Sequence, residues 1–169
     1  MENSTGKTCE YEANVEALRQ VPVFAKLPIG VIKAIAFGCD RKIFRDGAEL
    51  FSQGEADDRA YHIVSGEADL ARTENGEETV VRAYGPGTFL GGLALLGDIK
   101  RPFTLRARGE VAAIVVPRAK VQAELAKTAE ALPKFLSAVA GAVVQWEEGQ
   151  MVRAGGCARC EGRVGVSVL

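Results

Sequence analysis

The spacing of apolar residues changes period twice along the chain. Residues 1–13 show no periodicity and read as a disordered leader. Val15 and Leu18 then share a helical face, and Val21-Pro22-Val23-Phe24 interrupts it, because proline cannot continue a helix interior. A second short helix follows Pro28, with Val31, Ile32, Ile35 and Ala36 at i, i+1, i+4, i+5 and Cys39 at its end as a small buried hydrophobe. From about residue 40 to 117 the texture becomes short strands divided by turn residues: 42–44, 49–51, 60–64, 68–72, 79–84, 103–107 and 111–116. Asn75-Gly76 between two such segments predicts a type I′ hairpin, since both residues tolerate positive φ. Gly91-Gly92-Leu93-Ala94-Leu95-Leu96-Gly97 interrupts the series as one or two helical turns. After Pro117, Leu125, Ala129, Leu132, Leu136, Val139, Val143 and Trp146 recur at a 3.5-residue period, the seam of a helix that pairs with another. Pro133 divides this region into helices at 118–130 and 133–151, with proline in the first turn of the second.

Strands at such regular intervals predict a mainly β fold, a small antiparallel barrel or jelly roll, carrying N-terminal helices and a long C-terminal helix. The domain spans residues 14–152, and the glycine- and cysteine-containing segment 153–169 reads as a disordered tail. Glycine supplies 19 of 169 residues, about 11% against a usual ~7%, in keeping with many tight turns.

Charge and rare residues narrow the chemistry. With 21 basic and 22 acidic residues the formal charge is −1, so no basic field draws a phosphate backbone and nucleic acid is not an expected partner. No apolar run is long enough to span a membrane, and the polar, acidic N-terminus lacks a secretory signal; a cytoplasmic location is the expectation. The four cysteines are then expected to be reduced. Cys157 and Cys160 have the spacing of half a zinc site, but no second pair exists in the chain, so a metal there would need a second copy. The single histidine, His62, lies in the strand-like Ala60-Tyr61-His62-Ile63-Val64 and reads as a strand-face or core residue. No nucleophile–base–orienter set is visible, and no enzymatic activity is expected. Gly85-Pro86-Gly87 fails as a dinucleotide motif because Leu90 stands where glycine is required. Gly92 and Gly97 fail as a P-loop because Asp98-Ile99 replaces Lys-Ser/Thr.

The segment Gly87-Thr88-Phe89-Leu90-Gly91-Gly92-Leu93-Ala94-Leu95-Leu96, followed after four residues by Arg101-Pro102-Phe103-Thr104-Leu105, resembles the phosphate-binding cassette of the cyclic nucleotide-binding domain family. That family's pattern is roughly F-G-E-[LI]-A-L-L, a spacer, then R-[AST]-A-[ST]-[VL]. Leu50-Phe51-Ser52-Gln53-Gly54 and Tyr61-His62-Ile63-Val64-Ser65-Gly66-Glu67-Ala68 are similar to its glycine-anchored turn and strand pair, and Leu18 through Phe24 to its entry segment. The resemblance covers about residues 14–150 and implies a double-stranded β-helix that binds cAMP or cGMP without chemical turnover.

The cassette has its own physical logic. A short helix across a barrel mouth presents unpaired N–H groups to an anion. Gly91 and Gly92 let backbone approach a ligand closely. Arg101 can cap a phosphate with two parallel hydrogen bonds. Gly91, Gly92, Leu93, Ala94, Arg101 and Pro102 are therefore the expected ligand-binding positions. Leu93, Leu95 and Leu96 are expected to pin the turn to the barrel, and Thr104 to be a strand residue.

Two positions depart from the pattern. Gly92 stands where the family has a glutamate that accepts from the ribose 2′-hydroxyl, a loss of about 1.5–3 kcal/mol for a charge-assisted bond. Pro102 replaces alanine, serine or threonine and removes a backbone N–H that would reach the phosphate. The expected function is thus a regulatory, signalling module that binds a cyclic nucleotide or related anion, needs no cofactor, and relays occupancy through its C-terminal helix. The alternative is a dimeric scaffold whose pocket has lost nucleotide binding. About 19 residues follow Gln150, so output through a homodimer or an effector protein is expected rather than through an appended DNA reader.

Overall fold

In the computed structural model, the backbone is described for residues 3–154 and side chains for residues 9–145. Three N-terminal helices, α1 (Asn3–Gln20), α2 (Pro22–Ala25) and α3 (Ile29–Phe37), precede the β region; α4 (Arg118–Ala126) and α5 (Ala131–Ala154) follow it. Residues 3–13, expected as part of a leader, belong to α1 instead. Asn14 shows what ties that helix down. It is buried, and its side-chain oxygen accepts from Arg41 Nε at 2.7 Å, joining α1 to the first strand. The Val21–Phe24 break is itself a helical turn with proline in its first positions. The tail with Cys157 and Cys160, and the side chain of Trp146, lie outside the described residues.

Six strands, β1 (Asp40–Phe44), β2 (Glu49–Phe51), β3 (Arg59–Glu74), β4 (Glu77–Tyr84), β5 (Phe89–Leu90) and β6 (Thr104–Pro117), build one antiparallel, rolled sheet. The long β3 and β6 form its spine, paired from Arg59 with Pro117 to Ala71 with Thr104. Each unites two segments that the sequence presents separately, because Gly66 and Gly109 adopt positive φ and bend the strand without ending it. At Gly66 (φ 83°) the facing chain is so close that a Cβ would lie 2.2 Å from the Glu110 carbonyl oxygen. The hairpin between β3 and β4 turns at Asn75 and Gly76, both with positive φ as expected.

Alternation along β3 sorts side chains onto two cores. Tyr61, Ile63 and Leu70 fill the inside of the roll, together with Phe51, Leu90, Phe103 and Leu105. Ala60 and the strand residues Phe89, Ile114 and Val116 face the helices, where Leu18, Phe24, Ile35 and Phe135 cover them. Phe24 meets Phe89 edge-on at 5.3 Å and stacks on Phe135 at 5.9 Å, so one ring joins α2, the sheet and α5.

The predicted C-terminal seam divides. Ala131, Phe135, Val139 and Ala142 pack inward, whereas Leu132 (46%) and Leu136 (45%) stay exposed. A 3.6-residue helix places these two sets on adjacent stripes.

Buried His62 shares the helix-facing side of the sheet with its cross-strand neighbours Ile114 and Phe89, and its Nδ1 has no hydrogen-bond partner. Burial first, and then the Arg41 charge, hold its pKa below the ordinary value. The native imidazole is therefore neutral. The unfolded chain gains a proton below about pH 6.5, so stability falls from that pH down to the folded pKa. His62→Leu should flatten the pH dependence of the urea midpoint that the wild type is expected to show below about pH 6.5. Gly66→Ala should cost about 3 kcal/mol, from left-handed strain plus the carbonyl clash, and lower Tm by roughly 10 °C in a calorimetric scan.

Candidate functional site

β5 ends at Leu90, buried inside the roll, and the chain leaves it through Gly91 at φ 81° into a single 3₁₀ turn, Gly92–Leu95. The positive φ at Gly91 redirects the backbone sharply, and the space beside it is filled by Arg101. A Cβ on Gly91 would lie 2.5 Å from Arg101 Nη1. Ala94 and Leu95 are buried beneath the turn, Leu93 is half-buried, and Leu96 is exposed; Leu95 rather than all three leucines anchors it. The amide of Ala94 already donates to the Gly91 carbonyl at 3.1 Å. The amides left without a partner inside the turn are consequently those that precede Ala94.

Arg101 is 3% exposed. Its backbone is fixed on both sides, its N–H donating to the Glu55 carbonyl at 2.9 Å and its carbonyl accepting from Gly54 N at 2.8 Å. Nη2 donates to Asp57 Oδ2 at 3.0 Å and to the Arg59 carbonyl. The guanidinium carbon lies 4.3 Å from the centroid of Phe51, a cation–π contact in a desolvated setting. Nε is buried and has no hydrogen-bond partner. One edge of the fork is thus held by the protein, and a donor beside it is left unsatisfied. Such a group costs about 1–3 kcal/mol, more when charged, until an acceptor reaches it.

Asp57 organises the surroundings. Besides Arg101 it accepts from Arg59 Nε at 2.8 Å and from the Tyr61 hydroxyl at 3.1 Å. Burial is the largest influence on its pKa and raises it; the hydrogen bonds and charges of Arg59 and Arg101 together outweigh burial and hold the carboxyl below its ordinary value. Burial, reinforced by the Asp57 charge, pushes the Tyr61 phenol well above its usual range, so Tyr61 remains a donor. Asp57, Phe51 and Tyr61 escaped sequence reasoning. The run Glu55-Ala56-Asp57-Asp58-Arg59 gives no local sign that one aspartate is buried, and its partner lies 44 residues away.

The remaining expected positions fall around this pair. Gly92 is buried at the start of the turn, and Pro102, directly after Arg101, is exposed. Phe103 points into the roll, with the Arg72 guanidinium 5.7 Å from its ring centroid. Thr104 acts as a strand residue: its hydroxyl accepts from Gln53 N at 3.0 Å. His62 belongs to the opposite face of β3 from Tyr61, away from Arg101. Among the described residues no cluster of three or more metal-ligating side chains occurs, and no helix is long and apolar enough to cross a membrane.

Comparison with known proteins shows the family. The family profile described as "Cyclic nucleotide-binding domain" matches residues 41–128, more than half of the chain, and takes in Asp57, the turn and Arg101. The chain belongs to the cyclic nucleotide-binding domain family. Among its relatives is the cAMP-dependent protein kinase regulatory subunit of Mucor circinelloides f. lusitanicus, 35% identical over 111 residues, which are 66% of this chain and 25% of that protein. The chain spans about a quarter of the length of that relative. A solved cyclic nucleotide-binding-like protein from Brucella abortus aligns at TM-score 0.62 and 30% identity, covering 67% of this chain and 97% of the other. The regulatory domain of Toxoplasma gondii PKA, solved with cAMP, aligns at TM-score 0.64 and 22% identity over 77% of this chain and 51% of that one, and shows the shared fold. The antiparallel jelly roll expected from the strand spacing is the fold of this cyclic nucleotide-binding domain.

Removing Asp57 strands the Arg101 charge in the interior. Asp57→Ala should therefore cost about 3–5 kcal/mol in urea unfolding, and Asp57→Ala with Arg101→Met should recover most of the loss. Additive losses in the double variant would show that the two groups are not a coupled pair.

Proposed function

We propose that this domain is a non-enzymatic regulatory module that seats the phosphate of a cyclic nucleotide, cAMP or cGMP, between the Gly91–Gly92 turn and Arg101. The observation that carries the reading is the Arg101 guanidinium, buried against Gly91 with one edge clamped by Asp57 and Nε unpaired. A buried cation next to backbone amides favours an anion that satisfies the free donor. Membership in a family named for cyclic nucleotide binding, and relatives named as cAMP-dependent regulatory subunits, support the ligand class.

Gly92 has no side chain to hold a ribose hydroxyl, and Pro102 has no N–H to offer, so recognition leans on Arg101 more than the family pattern does. The affinity penalty from Gly92 alone corresponds to roughly ten- to a hundredfold.

Occupancy would be relayed to the C-terminal helices through α4. Gln122 Nε2 donates to the carbonyls of Leu95 and Leu96 at 3.2 and 3.3 Å, and Arg118 pairs with Asp98 at 2.6 Å, so α4 grips the end of the cassette turn. The exposed Leu132, Leu136 and Val144 on α5 favour a second copy of the chain, or an effector protein, as the receiver of that movement. The same stripe supports the scaffold reading, in which the chain dimerises and the pocket is silent.

Calorimetric titration separates the two. The wild type should bind cAMP or cGMP, Arg101→Ala should weaken binding at least a hundredfold, and Gly92→Glu should tighten it about ten- to a hundredfold. Arg101→Lys, which keeps the charge but not the fork, carries the same test should the alanine variant fail to fold. Equal affinity of wild type and Arg101 variants would overturn the assignment. Silence of both wild type and Gly92→Glu, with a stable dimer in solution, would favour the scaffold.

A further inference from the structure

The inner face of the roll closes over the cassette with a side chain that the ligand reading does not use. Leu70 stands opposite Leu105 and Ala71 opposite Thr104, so the continued register sets Arg72 against Phe103. Phe103 joins the inner core together with Phe51, Tyr84, Leu90 and Leu105. Arg101, two residues earlier, reaches that core through its stack on Phe51. An aromatic ring and the guanidinium that would receive a phosphate therefore share one face of the sheet.

A nucleotide-sized ligand needs a hollow of roughly 300 Å³ or more. The two best-defined hollows of the surface run along Asp57, Asp58 and Asp98, and along Asp46, Asp69 and Arg106; neither is lined by Arg101 or Phe103. The inner face must therefore make room, and its residues differ in how easily they yield. Phe51 carries Arg101 and Tyr61 donates to Asp57, so moving either would undo the setting of the ion pair. Leu70, Leu90, Leu105 and Tyr84 lie within paired strands at 5% exposure or less. Phe103, at 8%, is the most exposed member of the inner core and precedes the first residue of β6.

The backbone on both sides of that ring is fixed. The Arg101 N–H and carbonyl are bonded to Glu55 and Gly54, and the Thr104 hydroxyl accepts from Gln53 N. Between them Pro102 locks its own φ near about −65°. Room comes instead from rotation of the Phe103 side chain towards solvent. On that side the Arg72 guanidinium lies 5.7 Å from the ring centroid, with about half of the Arg72 side chain exposed. The family pattern given above has alanine where Phe103 stands, so the pattern itself requires no such movement.

We propose that Phe103 sets ligand access to the cassette: its ring fills space that a nucleotide would take up, and a ligand reaches Arg101 only when the ring swings out. This deepens the cassette reading above and rests on it. Apparent affinity is then the intrinsic affinity multiplied by the fraction of molecules whose ring is out.

The test is isothermal titration of the purified chain with cAMP and cGMP, in wild type, Phe103→Ala, Phe103→Val, Arg101→Lys and the combination of Phe103→Ala with Arg101→Lys. Phe103→Ala should bind at least one of the two about tenfold or more tighter than wild type, with Phe103→Val between them. Binding by Phe103→Ala where wild type is silent at the same concentrations is that result in its limiting form. The gain should vanish when Arg101→Lys is added. Should Phe103→Ala fail to fold by circular dichroism, a gain of roughly threefold or more in Phe103→Val carries the same test. Equal or weaker binding by the Phe103 variants would overturn the proposal. Where Arg101→Lys also abolishes wild-type binding, that outcome leaves the cassette reading standing. A gain that survives Arg101→Lys would overturn it too, since the ligand would then occupy an apolar cavity left by the ring. Silence of wild type and of every Phe103 variant would remove both readings.

Discussion

The buried ion pair between Arg101 and Asp57 is the constraint on which the site depends. A lone guanidinium at this depth is strongly unfavourable, and a carboxylate within hydrogen-bond reach makes it tolerable. Asp57 in turn is held by Arg59 and the Tyr61 hydroxyl, so the pair is anchored in β3, a spine of the sheet. The price of this stability is that any phosphate meets an arginine already partly engaged. What remains free, Nε and the Nη1 nitrogen that lies against Gly91, is the feature that makes the arrangement a site rather than only a structural contact.

The fold explains why these groups meet. A rolled antiparallel sheet brings the turn after β2, the start of β3 and the segment before β6 to one rim, although they are far apart in sequence. Gly54 and Glu55 bond directly to the backbone of Arg101, and Gly91 lacks the Cβ that would displace the guanidinium. On the far side of the sheet, Phe24 joins α2, β5 and α5. The cassette turn therefore lies between a polar cluster facing inward and a helical layer facing out, with Gln122 joining the two.

Local chemistry made part of this legible in the sequence. Asn75-Gly76 fixes its hairpin because the turn's dihedral requirements are met by those two residues alone. The glycines and Arg101 of the cassette were readable for the same reason, as a short contiguous pattern. Non-local features were not. Asp57 and Asp58 are adjacent and chemically identical, and only the tertiary fold buries one of them. The first turns of α1 lack an apolar stripe; Val15 and Leu18 pack the end of the helix on the core, and the Asn14–Arg41 bond, which no periodicity announces, joins it to the first strand. Leu132 and Leu136 matched a heptad seam, yet a straight 3.6-residue helix turns Phe135 inward instead and leaves them outside.

The most direct measurement of the central claim is the Nε–H resonance of Arg101 in a ¹H–¹⁵N spectrum, assigned by its loss in Arg101→Lys, during titration with cyclic nucleotide. A downfield, saturable shift of this resonance that adenosine, lacking phosphate, does not produce is the result predicted. Saturable nucleotide binding that leaves the Arg101 Nε–H unmoved would contradict it.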